Sequence, residues 1–241
     1  MTVPDLTFPP ADADRRGAIV LVHGAWVGEW SWTPVLPTLR ASGRAVHAVS
    51  LAGHGSRRHQ SGPHVSLGDH VLDVVGLIET LDLVDITLVG HSYGGRVVTQ
   101  VYDRLSERIS SMVYLDAHAP VAPEPPQPAE RLAAVEANGG MLPFTDYEPS
   151  LDLVGGRRGY DWFVQRVMPQ SFQCFTAPWQ VPLPDELSKL FILAGGDEPN
   201  RFARYADVCR DHPHWDFLEL SGTHFLMFTN PDEVAAAILA R

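Results

Sequence analysis

Short apolar runs alternate along the chain with longer stretches whose apolar residues recur at helical spacing. "AIVLVH" (18–23) and "AVHAVSL" (45–51) read as strands, with "WTPVLPTLRAS" between them as a helix ending near Gly43. "LGDHVLDVVGLIETL" (67–81) has a helical period and leads into the strand "DITLVG" (85–90). The helix "GGRVVTQVYDRL" and the strand "SMVYLDA" (111–117) follow. After an irregular region the rhythm returns: strand "KLFILAG" (189–195), helix "NRFARYADVCRDH", strand "WDFLELSG" (215–222) and a closing helix "PDEVAAAILAR". Strands that are apolar throughout, rather than alternating, belong to sheets covered on both faces. Joined by helices they imply right-handed crossovers and a mostly parallel sheet, an α/β architecture.

Residues 118–184 interrupt this rhythm. Ten of the 20 prolines fall between 120 and 182, which excludes long uninterrupted helices there, although "AERLAAVEANGG" and "YDWFVQRVM" still read as helical. Loops of this length in compact domains are functional covers or disordered. Trp162, Phe163, Phe172, Phe175 and Trp179 supply too many aromatics for disorder. The expected organisation is one domain: a core of residues 1–117 and 185–241, with 118–184 inserted as a lid.

Composition narrows the partners. A formal net charge of −11 argues against nucleic acid and anionic membranes. No apolar stretch approaches the roughly 18 residues that span a bilayer, and the N-terminus has acids and prolines where a signal peptide has basic and apolar residues. Two cysteines, Cys174 and Cys209, make no disulfide framework. The expectation is a cytoplasmic protein acting on a small molecule; its oligomeric state stays open, with the aromatic lid as one surface on which a homodimer could form. A strongly anionic substrate is disfavoured by the net charge unless local arginines override it.

The stretch "LVGHSYGGR" (88–96) carries the pattern G-x-S-x-G, Gly90 to Gly94, between a predicted strand and a predicted helix. A sharp turn there projects the Ser92 hydroxyl from the carboxyl edge of the sheet, over the positive end of a helix, and needs small neighbours. A serine hydroxyl becomes a nucleophile only when a base takes its proton, and an acid must hold that base in the right tautomer. In this turn-based arrangement the acid and then the histidine follow the serine along the chain. His224, in "LSGTHFLMF" between the last strand and the last helix, is the expected base. Asp197, after the two glycines of "FILAGGDEPN", is the preferred acid, with Glu198 adjacent and Asp116, at the end of "VYLDA", as the alternative. The backbone N–H groups of Tyr93 and Ala25 are the expected oxyanion donors.

These motifs carry a resemblance. "VLVHGAWVGEWSWTPVLPTL", "LAGHG", "LVGHSYGG", "VYLDA" and "THFLMFTNPDEVAAAI" resemble, in order, the α/β-hydrolase fold proteins, in particular the small branch of plant methyl esterases, hydroxynitrile lyases and bacterial carboxylesterases. The resemblance covers nearly the whole chain and is loosest in the lid. It implies the α/β-hydrolase fold, a Ser92–Asp197–His224 triad, an Ala25/Tyr93 oxyanion hole and no cofactor. The lyases of that branch carry a lysine after the catalytic histidine and a threonine in the oxyanion loop. Here these positions are Phe225 and Ala25, which argues against lysine-dependent cyanohydrin cleavage.

Other candidates have plainer readings. His23 and His91 are expected to pack and hydrogen-bond behind the site. His54, His59 and His64, and the pair His212 and His214, lack the setting of a metal site. Cys209 reads as a small buried hydrophobe, and the arginines of "GGRRGY" as solvated surface. Trp26 divides evenly between core and pocket wall; Trp162 and Phe225 are further expected pocket residues. The combined expectation is a hydrolase for small to medium, largely apolar esters or lactones. A cofactor-free dioxygenase and a non-hydrolytic ligand-binding protein are the alternatives on the same fold.

Overall fold

The computed structural model describes residues 16–144, 156–196 and 200–241. Six parallel strands form the central sheet in the order β2-β1-β3-β4-β7-β8. They are β1 (Ile19–Val22), β2 (Val46–Val49), β3 (Ile86–His91), β4 (Ile109–Leu115), β7 (Ser188–Ala194) and β8 (Asp216–Leu220). Between them run helices α1 (Leu36–Ala41), α2 (Leu67–Thr80), α3 (Gly94–Leu105), α6 (Ala203–Asp211), the short α7 (Leu226–Thr229) and α8 (Pro231–Leu239). Successive residues of a strand point to opposite faces, and the two cores follow that alternation. Val20, Leu88, Met112, Tyr114 and Phe191 join α2, α3 and α6 on one face. Ile19, Leu21, Val89, Val113 and Ile192 join α1 and α8 on the other.

Local sequence explains the helices. Helix α2 opens with a reciprocal capping box between Ser66 and Asp69 and buries Leu67, His70, Val71, Val74, Val75 and Ile78, one stripe at helical spacing. The first expected helix is shorter than its periodicity predicts. Residues Glu29–Trp32 form a tight 3-10 turn and α1 begins only at Leu36. The reason is Pro34 and Pro37, which cannot donate to a preceding turn, so the helix starts with Pro37 in its first turn.

The segment between β4 and β7 holds α4 (Ala129–Ala137), α5 (Gly156–Val164) and a two-residue antiparallel pair, β5 (Met141–Leu142) with β6 (Gln170–Ser171). It is tied to the loop after β1 through Trp26. The indole Nε1 donates to the Leu142 carbonyl at 3.0 Å, and the Trp26 carbonyl accepts from Met168 N at 2.8 Å. Among the described residues no helix is long and apolar enough to cross a membrane.

Candidate active site

Strand β3 ends at His91, and the chain reverses into α3 through Ser92, whose φ of 53° is a left-handed value that a side chain rarely adopts. The glycines around it answer to close packing. A Cβ on Gly94 would lie 2.7 Å from the Val22 carbonyl oxygen, and one on Gly95 would lie 2.1 Å from that of His118. The turn is held by Ser92 N donating to Leu115 O (3.2 Å) and by the Ser92 carbonyl, which accepts from Gly95 and His118 N–H groups.

Two other residues at this edge share the strained backbone: Trp26 (φ 64°) and Asp116 (φ 41°). Such strain clusters where a fold places side chains for work. Asp116 follows directly after β4, and its Oδ2 accepts from His224 Nδ1 at 2.6 Å, both groups being buried. Its Oδ1 accepts from Ala194 N and from Asn200 Nδ2, each at 3.1 Å. Asp197 and Glu198 lie outside the described residues. Among the described carboxylates, the one hydrogen-bonded to His224 is therefore that of Asp116. An Nδ1–H directed at a carboxylate leaves Nε2 as the proton acceptor, the tautomer a general base requires.

His91 and His23 sit behind the site, one beside each loop. His91 Nε2–H donates to the His224 carbonyl at 2.8 Å, which ties the His224 backbone to the residue before Ser92. Burial pushes its pKa well below the ordinary value, and neighbouring His224 adds to the effect, so the ring stays neutral. His23 Nδ1–H donates to Gly24 O (2.8 Å) and its Nε2 accepts from Leu51 N (3.2 Å), holding the loop that carries Ala25. Burial lowers its pKa to about 4. Among the described residues the N–H groups of Ala25 and Tyr93 have no acceptor. Tyr93 is fixed from below: its hydroxyl donates to His70 Nδ1 at 3.0 Å, while His70 Nε2–H donates to Ala52 O.

Ala25, Trp26 and Ser92 open on two adjoining spaces. One is a narrow cleft closed by His224, Phe225, His91 and Phe144. The other is a cavity of about 290 Å³ walled by Tyr93, Phe175, Phe202, Tyr205 and the prolines after Glu124, near the lower end for small-molecule pockets. Trp26 lines both spaces and Phe225 the cleft. Trp162 does not line either space: it packs edge-on against Trp30 (5.2 Å between ring centres) with Arg166 over its face. Its neighbour Phe163 takes the inward face of α5, against Phe144 and Phe225. One step around a helix turns the next side chain outward. Among the described residues no three metal-ligating side chains converge, and His54 packs between His23 and His70.

The sequence reading also missed Arg96. It is fully buried two residues into α3, paired with Glu124, and lines the larger cavity. Its only sequence signal is a cation interrupting the apolar face of the helix "GGRVVTQV".

A parallel sheet covered on both faces, with a serine on a strained strand-to-helix turn and a histidine–carboxylate pair at the same edge, defines an α/β-hydrolase. The chain belongs to the alpha/beta hydrolase family, whose sequence profile matches residues 19–237. It is 34% identical to the carbendazim hydrolyzing esterase of Nocardioides sp. (strain SG-4G), over 92% of this chain and 98% of that protein. It is 36% identical to salicylic acid-binding protein 2 of Nicotiana tabacum, over 42% of this chain and 39% of the plant protein. Among solved structures, an extracellular alpha/beta-hydrolase from a Paenibacillus species superposes with a TM-score of 0.70 at 23% identity, covering 93% of this chain and 98% of that one.

Proposed function

We propose that the chain is a serine-dependent carboxylic ester hydrolase acting on small to medium esters or lactones through an acyl-enzyme. The observation that carries this reading is the 2.6 Å bond between His224 Nδ1 and Asp116 Oδ2 at the cavity that Ser92 also lines. The match along almost the full length of a protein named as an esterase supports it further.

In this mechanism His224 Nε2 takes the proton of Ser92 Oγ as the oxygen attacks the ester carbonyl. The oxyanion that forms is received by the N–H groups of Ala25 and Tyr93. Asp116 holds the imidazole and stabilises its cation. His224 then gives the proton to the departing alcohol, and a water activated by the same nitrogen releases the acid. Asn200 and the Ala194 N–H keep the Asp116 carboxylate oriented. The segment between β4 and β7 acts as the cap that encloses the substrate.

Hydrolysis of p-nitrophenyl esters of increasing acyl length by the protein and by Ser92→Ala tests the reading. Turnover with an optimum at short acyl chains, falling at least about 1000-fold in the variant, is expected. A folded protein that hydrolyses no ester, or whose rate survives Ser92→Ala, overturns it.

A further inference from the structure

The cavity beside Ser92 holds a second histidine next to a carboxylate, and the proposed hydrolysis makes no use of it. His118 lines this cavity together with Glu124 and Tyr205. Glu124 Oε1 lies 2.7 Å from His118 Nδ1, and the Tyr205 hydroxyl is hydrogen-bonded to the same nitrogen at 3.3 Å. His23 and His70 have partners on both ring nitrogens. His118 has them on Nδ1 alone. Among the described residues its Nε2 has no hydrogen-bond partner, and packing does not seal that atom off.

The surroundings of Nδ1 decide which ring nitrogen carries the proton. Against the pull of burial, His118 and Arg96 hold the Glu124 carboxyl below its usual range, so it is ionised and accepts only. A lone pair on Nδ1 would be repelled by a carboxylate oxygen 2.7 Å away, which places the proton on Nδ1. Burial first, and Arg96 after it, lower the His118 pKa to about 4 against the opposing effect of Glu124, so the ring holds that one proton. Nε2 is left as a hydrogen-bond acceptor in the cavity wall. The arginines that also line the cavity offer donors alone and do not replace it. Phe202 sets the spacing: its ring stacks flat on His224, 5.1 Å between centres, and meets His118 edge-on at 5.3 Å. One aromatic ring thus separates the base from the free acceptor.

Resting on the reading of Ser92 as the nucleophile of an ester hydrolase, we propose that the substrate carries a neutral hydrogen-bond donor, a hydroxyl or N–H, about a ring's width from its ester carbonyl, received by His118 Nε2. A substrate that displaces water from this acceptor without replacing its hydrogen bond leaves it unpaired among aromatic walls, which is costly. The donor sits on the acyl side or on the alcohol side of the ester, and two series distinguish these. Methyl 3-(4-hydroxyphenyl)propanoate with its 4-methyl and 4-methoxy analogues probes the acyl side. 2-(4-Hydroxyphenyl)ethyl acetate with the same two analogues probes the alcohol side. The methyl group matches the hydroxyl in size, and the methoxy group keeps an acceptor oxygen but has no donor.

In at least one series the hydroxyl ester is expected to exceed both analogues by at least about tenfold in kcat/KM. In His118→Phe, which keeps a ring and removes the acceptor, that advantage falls towards one; His118→Asn, whose shorter side chain does not reach the place of Nε2, serves if the first variant does not fold. The proposal is overturned if neither series favours the hydroxyl, if the methoxy ester does as well as the hydroxyl ester, or if the preference survives these substitutions. Chemical-shift titration of Ser92→Ala with 4-methylphenol and with 4-methylanisole separates this outcome from failure of the hydrolase reading. Binding of the phenol at least about tenfold tighter, with no ester turned over by the unmodified protein, leaves the donor subsite standing and removes only the hydrolase. Equal affinities overturn the subsite even if esters are turned over.

Discussion

Asp116→Asn is the sharpest test of the proposed catalytic geometry, because the surrounding hydrogen bonds dictate how the new amide must sit. Asp116 Oδ1 accepts from two donors, Ala194 N and Asn200 Nδ2. The introduced amide oxygen is therefore held on that side, and its NH₂ is turned toward His224 Nδ1, where Oδ2 stood at 2.6 Å. Facing a donor, Nδ1 must accept, so the imidazole carries its proton on Nε2 and cannot take one from Ser92. The geometry is kept and the tautomer is wrong, a change that costs about 10⁴-fold in kcat in the Ser-His-Asp template, or roughly 5.5 kcal/mol of barrier. The assay is p-nitrophenyl butyrate hydrolysis from pH 6 to 10, with circular dichroism to verify the fold, beside Asp197→Asn. The expected result is a loss of about 10³- to 10⁴-fold for Asp116→Asn and less than about tenfold for Asp197→Asn. The reverse order would refute the assignment of Asp116.

Two further outcomes follow from packing and burial. Burial holds His23 and His70 near pKa 4, whereas both titrate near 6.5 when unfolded. The unfolded chain thus binds more protons between these values, and stability present above pH 6.5 is lost as pH falls toward 4. At pH 5.5 each histidine accounts for about 1.4 kcal/mol of that loss. Urea midpoints at pH 7.5 and 5.5 read it directly; His70→Gln should flatten the dependence, and a midpoint independent of pH would contradict the burial argument. Gly94→Ala sets a Cβ against backbone oxygens of Val22 and His23 at 2.7 and 2.8 Å. Because backbone cannot rotate away, a loss of about 1–3 kcal/mol in stability is expected, with a larger fall in kcat than in the unfolding midpoint would explain.

Most of the frame was legible in the pattern of apolar residues. The six apolar runs became the six parallel strands to within two residues at either end: the four inner strands, buried on both faces, leave an unbroken signature, and the edge strands β2 and β8 keep enough of one despite partial exposure. Ser92 and His224 stood out as candidates in the sequence because each lies in a short motif at a strand end. The acid was harder. Asp116 and Asp197 both follow in sequence on strands, β4 and β7, that are neighbours in the sheet, so sequence order alone does not choose between them. What the structure adds for Asp116 is a left-handed backbone and two donors on Oδ1, neither of which has a sequence signature. Arg96, Arg131 and Arg204 stand at unrelated spacings in the sequence, and only the fold places all three on one cavity.

The two hydrogen bonds of Trp26 to the β4–β7 segment have a consequence for selectivity. In the proposed mechanism the residue after the Ala25 donor also tethers the β4–β7 segment, so a cap formed by that segment could not yield to an oversized guest without dragging on the donor. A bulky ester that gains admission by prising the two apart meets a slackened oxyanion site. Discrimination by size is then registered during turnover, as a falling kcat, more than at entry, and enlarging the enclosure by trimming its walls will not widen the range of esters hydrolysed unless the Trp26 tether is preserved.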